Sequence, residues 1–462
     1  MHPVPEIILK TIPFKRKITS CELILMSNFI NRKLCPLLII ILIVFFGLDI
    51  SGNNVASAQN LINPSLVKKL YTLYGNKLFW FSPGEQSHAL RLVLKNEVDS
   101  STNMGLNKYK YHYNELARNI DKTFTTEDSM SAKQLDKLFS DVAITYCRDV
   151  YQGTGIDKWI TYDEVSQKYK DADNDYLLNN LIAVKSTDDL VYFLNSLEPG
   201  EKEYILLKSE LQNNLKLTSL QRLQLITSIN FYRWLHHFNF EKCIVVNIAS
   251  ATLCYYEYDS VKLEMKVVVG KPSTRTPRFT AHCNQVILYP YWNVPTSIAL
   301  NELLPQFKRN PEDIDILNMQ LIDANGNIID HHKLNWKIYN RNYFPFRIRQ
   351  STGCDNSLGV MKFNLTSPLG VYLHDTDNKG AFLSNYPYRS HGCIRVQEPI
   401  KLANYLLPNV VDNKFLESCF EDQVPVPINL SKPVPVFVVY QTAEVDSQNV
   451  VKYFKDVYGL LK

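Results

Sequence analysis

The first half of the chain repeats apolar residues at the spacing of an α-helix. Between positions 131 and 147 these residues are Leu135, Leu138, Phe139, Val142 and Tyr146. Intervals of three and four residues place them on one face of a helix. A similar pattern follows in "TSLQRLQLITSINFYRWL", residues 218–235. We therefore predict a helical scaffold domain over residues 59–240, with residues 197–203 as a loop between helices.

Capping residues mark the ends of these predicted helices. Ser131 with Gln134, and Thr218 with Gln221, fit the S/T-x-x-E/Q capping box, in which each side chain accepts from the other residue's backbone N–H. Gly153 follows the first helix and is expected to be its C-cap, because glycine tolerates the left-handed backbone found there.

From about residue 241 the pattern changes to short runs of β-branched and aromatic residues. The runs cover residues 243–271, 285–294, 357–365, 370–376 and 434–445. Such runs between turn residues are typical of antiparallel strands. The polar segment 296–357 predicts an insertion over one edge of the sheet. The predicted fold is α+β and multidomain: the helical domain precedes a mainly antiparallel β domain, residues 241–462, with an inserted lid.

The N-terminal residues resemble a signal for export. Arg32 and Lys33 precede an apolar run of 15 residues, Leu34 to Leu48, which is short for a membrane span. Ala56 and Ala58 then supply the A-x-A pattern of a cleavage site. We predict a leader and signal peptide over residues 1–58, with the true start at Met26, and export to the periplasm. An uncleaved inner-membrane anchor is the alternative.

Composition excludes several classes of function. The 462 residues are 45% hydrophobic, so a sizeable core is expected, and 50 Lys and Arg balance 46 Asp and Glu. The chain has no long run of basic residues, so a nucleic-acid partner is not expected. Seven cysteines follow the predicted signal, an odd number that leaves at least one free thiol or an intermolecular bridge, and their spacing fixes no pairing. Without a CxxC or CxxC…HxxxH pattern, neither a metal site nor a cofactor is predicted.

Two short strands are expected to place four polar side chains on one face. In "GVYLHDT" Tyr372 and His374 alternate with apolar residues, and in "CIRV" Cys393 and Arg395 do so. Alternate residues of a strand point to opposite sides, so the apolar ones would face the core and these four a cleft. The intervening residues are enough for the strands to meet, with His374 within hydrogen-bond reach of the Cys393 thiol.

A histidine beside a cysteine can perform acyl transfer. The imidazole would stabilise the reactive thiolate and later protonate a leaving amine. Gly392 would let backbone N–H groups approach an oxyanion, and Ser390 and His391 would shape that loop. A lone cysteine is more often buried and inert, so the combination of residues, not Cys393 by itself, favours catalysis.

"YLHDT" followed by "RSHGCIRV" resembles the signature of the L,D-transpeptidase family. Several other segments resemble its large Gram-negative branch, in the order expected: "VVVGKPSTRTPRF", "YWNVPTSIA", "NSLGVMKF", "VPVFVVYQTAEV" and "DVYG". The resemblance covers residues 242–462 strongly and the helical part more weakly. It implies a cysteine enzyme that cross-links peptidoglycan.

The resemblance assigns roles to individual residues. Cys393 matches the nucleophile and His374 the general acid and base, oriented by a backbone carbonyl. Gly392, His391, Ser390, Arg395 and Tyr372 match the motif around them. We leave Asp375 out, because it would point to the face opposite His374. Arg395 is expected either to position groups in the site or to form a salt bridge below it.

The implied reaction joins two peptidoglycan tetrapeptide stems. Cys393 would attack the third stem residue, D-alanine would leave, and a neighbouring stem amine would resolve the thioester to give a 3→3 cross-link. Water would make the enzyme an L,D-carboxypeptidase, and a protein amine would make it attach wall proteins. Carbapenems are the expected inhibitors, and the need for an accessory protein stays open. A sortase-like transpeptidase and a non-catalytic peptidoglycan-binding protein are the alternatives from other classes.

The chain departs from the branch in two places. No room is left in residues 197–223 for the peptidoglycan-binding module that larger members carry. Cys354 stands where the branch usually has a proline turn, and it is expected either to be inert or to form a disulfide that affects the lid. His331 and His332 lie in the predicted insertion and are expected to be solvated.

Overall fold

The computed structural model describes residues 60–125, 129–166, 169–236, 238, 240–258, 260–419 and 423–461. The predicted signal peptide lies outside these residues. Among the described residues, no helix combines the length and the apolar character that crossing a membrane requires.

The region before residue 240 is helical, as predicted. Its helices are α1 Pro64–Leu73, α2 Glu85–Ser100, α3 Tyr113–Asn119, α4 Met130–Gln152, α5 Ile156–Trp159, α6 Lys170–Ala183, α7 Thr187–Ser196, α8 Lys202–Asn213 and α9 Ser219–His236. Short 3₁₀ turns span Ser101–Met104 and Lys108–Tyr111. Helices α1 to α4, α6 and α7 share one apolar core, which α4 crosses with most of its residues buried.

Two of the three capping predictions are confirmed. Thr218 and Gln221 exchange hydrogen bonds at the start of α9, 3.0 Å and 3.2 Å long. Gly153 is the C-cap of α4 with φ 72°, and its N–H donates to Asp149. The Ser131 box is wrong: α4 begins two residues earlier, and the Ser129 hydroxyl accepts from its first turn.

Buried Asp136 of α4 fixes the loop between α1 and α2. Its carboxylate accepts from the backbone N–H groups of Phe79, Trp80 and Phe81 at 2.8 to 3.2 Å, and from the Tyr71 hydroxyl. A buried carboxylate is tolerated when its acceptors are used in this way. The side chain therefore anchors chain that has no regular structure of its own.

A mixed sheet forms the second half. Its strands are β1 Tyr162–Asp163, β2 Lys242–Asn247, β3 Thr252–Glu257, β4 Ser260–Gly270, β5 Phe279–Leu288, β10 Met361–Leu365, β11 Leu373–His374, β12 Tyr388–Ser390, β13 Ile394–Val396 and β14 Val426–Val439. The order is β1-β5-β10-β11-β13-β4-β3-β2-β14, and β14 also pairs with β5. That last pairing closes the sheet on itself around an apolar core. Most pairs are antiparallel, whereas β11 and β13 run parallel.

The two halves pack together. Strand β1, from the helical half, pairs with β5. Trp234 of α9 contacts Phe437 of β14 edge-on, with ring centroids 5.4 Å apart. Helices α13 Pro399–Leu406 and α14 Asn413–Glu417 cover the sheet, and strands β15 Ala443–Val445 and β16 Val451–Tyr453 form a terminal hairpin.

The predicted insertion is an ordered subdomain with its own core. Four strands pair in the order β6-β9-β7-β8: β6 Trp292–Asn293, β7 Met319–Ile322, β8 Ile328–Ile329 and β9 Arg347–Gln350. Helical segments α10 Thr296–Ile298, the π-turn Ala299–Leu303, α11 Leu304–Arg309 and α12 Asp313–Ile316 pack on them. We call residues 292–350 the insertion subdomain. Cys354, just after it, forms a disulfide with Cys419 beyond α14.

Candidate active site

Three charged or titratable residues form a row across neighbouring strands. Lys362 of β10 is paired with His374 of β11, and His374 is paired with Arg395 of β13. Paired residues of adjacent strands point to the same side of a sheet. The residues beside them, Leu373 and Ile394, are fully buried on the other side. His374 thus lies between two cations.

The His374 imidazole is oriented by the backbone. Its Nδ1 lies 2.5 Å from the carbonyl oxygen of Asp375. A carbonyl can only accept, so Nδ1 carries the proton and Nε2 is the free base. Burial, together with the charge of Arg395, lowers the pKa of His374 to about 3. The resting imidazole is therefore neutral at physiological pH.

Cys393 lies just before β13, level with Tyr372, and its side chain is partly exposed. Its Sγ is 3.9 Å from the carbonyl oxygen of Gly370, which only a protonated thiol can donate to. Burial raises the pKa of the thiol, and contacts with Tyr372 and the charge of Lys362 oppose that rise. The sequence led us to expect a thiol within hydrogen-bond reach of His374. Among the described residues, the structure shows no hydrogen bond between the two side chains. The resting state is a neutral thiol and a neutral imidazole.

Tyr372 lies beside the Cys393 thiol, the His374 imidazole and the Lys362 ammonium. Its ring centroid is 5.6 Å from that of His374 and 4.2 Å from the Lys362 ammonium. Burial raises the pKa of Tyr372, and so does the neighbouring Cys393. The phenol is therefore neutral and can donate a hydrogen bond to the sulfur.

The loop before Cys393 is held by side-chain hydrogen bonds. The Ser390 hydroxyl donates to the Cys393 carbonyl at 2.6 Å and accepts from the Gly392 N–H at 3.1 Å. Thr276 donates to the Gly392 carbonyl at 2.8 Å. Gly392 has φ 121°, which side-chain residues rarely adopt. Its own N–H is already bonded to Ser390 and is not free to bind a ligand.

His391 and Asp375 point away from the thiol. His391 Nε2 contacts Glu302 of the insertion subdomain at 3.0 Å, so this subdomain reaches the rim of the site. The Asp375 carboxylate accepts from the Val360 N–H at 3.0 Å and pairs with Lys379.

Lys362 is the residue that the sequence analysis missed. Burial lowers the pKa of its ammonium, and the adjacent Cys393 opposes this shift. The alternation of "MKFN" could have identified it, because Met361 and Phe363 are both buried and leave Lys362 on the polar face. Arg395 forms no salt bridge among the described residues, and its Nε has no hydrogen-bond partner there. The alternative of a salt bridge below the site is therefore wrong for the part of the chain that the structure describes.

Comparison with known proteins agrees with this fold. Residues 241–428 match the L,D-transpeptidase catalytic domain (YkuD), and residues 65–211 match the Scaffold domain. A Haemophilus influenzae protein named "Putative L,D-transpeptidase" is 31% identical over 333 residues, which are 70% of this chain and 66% of that protein. The matches define the class: a Scaffold domain joined to an L,D-transpeptidase catalytic domain. The chain belongs to the L,D-transpeptidase family.

Solved structures give weaker similarity. An L,D-transpeptidase from Mycobacterium smegmatis is 16% identical, with a TM-score of 0.20 over 43% of this chain and 58% of that one. The Enterococcus faecium catalytic domain acylated by ertapenem is also 16% identical, with a TM-score of 0.20 over 43% of this chain and 96% of that one. Scores this low add nothing to the family match.

Proposed function

We propose that this protein is an L,D-transpeptidase that forms 3→3 cross-links between peptidoglycan stems through a thioester on Cys393. One observation carries the proposal: a buried, neutral imidazole, oriented by the Asp375 carbonyl, lies on the strand next to the one that Cys393 precedes. The family match and the resemblance to the large Gram-negative branch support it. We also propose the roles of the motif residues that are described below.

Acylation begins from the neutral pair. As the sulfur attacks the carbonyl carbon of the third stem residue, the thiol proton moves to Nε2 of His374. The C–N bond to D-alanine then breaks, and the imidazolium gives its proton to the leaving amine. Because Arg395 disfavours a charged imidazole, His374 holds that proton only briefly. The products are a thioester and free D-alanine.

The second step returns the enzyme to its resting state. The side-chain amine of an acceptor stem attacks the thioester and loses a proton to His374, and the released sulfur is protonated again. The product is the 3→3 cross-link. Water as the acceptor would give L,D-carboxypeptidase activity, and a protein amine would give attachment of wall proteins.

Backbone and cationic groups stabilise the developing charges. The Cys393 N–H has no hydrogen-bond partner among the described residues, so it is available to an oxyanion. Hydrogen bonds from Tyr372 and the charge of Lys362 favour negative charge on the sulfur. The guanidinium of Arg395 would bind an anionic group. The stem peptides carry carboxylates, which have the required charge.

The proposed location is the periplasm, reached through the signal peptide in residues 1–58. Carbapenems are the proposed covalent inhibitors, since attack of Cys393 on the β-lactam carbonyl opens the ring and adds one whole drug molecule. We propose no cofactor for this chemistry.

The first test is the intact mass of the full chain after incubation with a carbapenem. We expect one drug mass on the parent protein and none on Cys393→Ala. Cys254→Ala is the matched control: Cys254 is a partly exposed free thiol, and burial raises its pKa to about 12, so its removal leaves the adduct in place. No adduct on folded parent protein would remove Cys393 from the role of nucleophile.

The reaction itself needs a second assay. Incubation with disaccharide-tetrapeptide should give a 3→3 dimer and D-alanine, both absent with Cys393→Ala. Tripeptide without dimer would assign the carboxypeptidase activity. Binding to sacculi that survives Cys393→Ala, with no thiol chemistry in the parent, would favour the binding protein, and cleavage of a sorting peptide would favour the sortase-like enzyme.

A further inference from the structure

The insertion subdomain holds a cluster of imidazole and carboxylate groups apart from the active site. Asp315, His331 and His332 each offer one ligand atom, and these atoms lie within 4.8 Å of one another. Among the described residues no other such group of three or more appears. We had expected both histidines to be solvated, and for His331 this is wrong, because it is only 7% exposed.

The β7–β8 hairpin brings the three residues together. Asp315 lies in α12, four residues before the start of β7, and His331 comes two residues after the end of β8. Ile322 pairs with Ile328 and Leu321 with Ile329, so the register places His331 beside the start of β7. The sixteen-residue separation between Asp315 and His331 hides this contact from any local motif.

Both imidazoles meet the same carboxylate oxygen. Asp315 Oδ2 lies 3.2 Å from Nε2 of His331 and 3.3 Å from Nε2 of His332. The two rings lie side by side, with centroids 4.0 Å apart. For bonds of about 2.0–2.1 Å in a tetrahedral zinc site, ligand atoms are separated by about 3.3 Å. The two separations from Asp315 Oδ2 match that value.

A buried nitrogen of His331 is a second feature that points to a bound ion. Its Nε2 is buried and, although close to Asp315, forms no hydrogen bond of acceptable geometry. The oxygen therefore lies off the axis of the nitrogen lone pair, as happens when both atoms bind a third atom between them. A buried polar atom without a hydrogen bond is rare and requires an explanation.

The surroundings hold the ligands in place. The Asp330 carboxylate accepts from the His332 N–H at 3.1 Å, and Trp336 Nε1 donates to the His331 carbonyl at 3.2 Å. Glu312 Oε1 lies 3.6 Å from Nδ1 of His332, on the opposite side of the ring from Asp315. A carboxylate on this side of the ring, once within hydrogen-bond distance of Nδ1, orients a metal-bound histidine and makes it a stronger donor.

We propose that Asp315, His331 and His332 bind one zinc ion, which ties α12 to the end of β8. Two imidazole nitrogens and one carboxylate oxygen are a donor set that Zn²⁺ accepts, with a solvent molecule as the fourth ligand. The ion would brace the subdomain whose Glu302 reaches His391. The proposal does not depend on the reaction catalysed at Cys393.

Zinc binding to the full chain tests this directly. Calorimetric titration with Zn²⁺ is done in a Cys393→Ser background, which removes the thiol that could bind a second ion. We expect one zinc per chain, with affinity lowered about a hundredfold or more by Asp315→Asn or His332→Gln and about tenfold by Glu312→Gln. Asp315 and His332 are both more than half exposed, so these variants should fold.

The matched control is His88→Gln. His88 contacts Asp121 at 3.0 Å on the surface of the helical domain but belongs to no group of three such ligands among the described residues. We expect this variant to bind zinc like its parent, and we expect zinc to raise the melting temperature of the parent but not that of Asp315→Asn. No zinc binding, or binding that survives both Asp315→Asn and His332→Gln, would overturn the proposal and leave an ordinary ion-pair cluster.

Discussion

The helical domain and the catalytic cleft bury polar groups in opposite ways. Buried Asp136 in the helical domain accepts four different donors. Among the described residues, buried His374 in the cleft has one hydrogen-bond partner, a backbone carbonyl, and a cation on either side. The first group has nothing left to bind, whereas the second keeps Nε2 free. The difference separates a group that holds the fold together from one that is available for chemistry.

The arginines of the two regions show the same contrast. Arg91 in α2 donates to the carbonyl oxygens of Trp80, Ile120 and Lys122. Arg395 in β13 has an Nε without a partner among the described residues. A buried donor left unbonded costs about 1–3 kcal/mol, so the sheet must hold Arg395 in place by packing. Such a group can regain that energy by binding a ligand.

Replacing His374, the proposed base in the cleft, tests the contrast between the two regions most strongly. We expect His374→Gln to lower the rate of carbapenem acylation by about 10² to 10⁴, because no group remains to take the thiol proton. Stability should not fall, since an unfavourably placed imidazole is removed. Stopped-flow acylation and thermal melting measure the two effects. An acylation rate equal to that of the parent would exclude His374 as the base; His88→Gln serves as the control.

Removing the structural carboxylate should have the reverse effect. Asp136→Ala leaves three backbone N–H groups buried without an acceptor, so we expect a loss of about 3–5 kcal/mol in unfolding free energy, measured by urea titration. Acylation of the folded fraction should be unchanged. Asp175→Ala is the matched control: Asp175 pairs with Lys69 on the surface and is worth at most about 1 kcal/mol. A similar small loss for Asp136→Ala would contradict the assigned role.

The charge of Arg395 can be tested through pH. The pKa of His374 is about 3 in the parent, so its base form persists through mildly acidic pH. Arg395→Met removes a cation, and the pKa should rise toward its ordinary value of 6.5. As the pH falls through the raised pKa, the variant should lose acylation activity about tenfold relative to the parent. Identical pH profiles for the two proteins would show that Arg395 does not act on His374.

The smallest effect is expected at the rim of the cleft. Glu302 and His391 are both partly exposed, 52% and 38%, so their ion pair is screened by water. Glu302→Gln should change the unfolding free energy by less than about 1 kcal/mol. The rate of carbapenem acylation, measured by stopped flow, should stay within about twofold of the rate for the parent. A large loss of acylation would mean that this contact controls access to Cys393.

Local patterns predicted the parts of the fold that depend on neighbours in sequence. The period of three to four residues identified the helices, and the Thr218 and Gly153 caps are present where expected. The Ser131 cap was wrong because Ser129, two residues earlier, offers the same chemistry and the tertiary fold selects between them. Strand alternation placed His374 and Arg395 on one face, as their pairing shows.

By itself, then, the sequence determined the helical and β halves, the family, and the face on which the cleft residues lie. Only the tertiary structure decided that β11 and β13 are parallel neighbours, that Lys362 joins the row, that Cys354 pairs with Cys419, and that His331 is buried beside Asp315. Periodicity arises from bonds between nearby residues and can be read along the chain. Pairing of distant residues depends on the closed sheet and the packed insertion subdomain, whose geometry no local pattern contains.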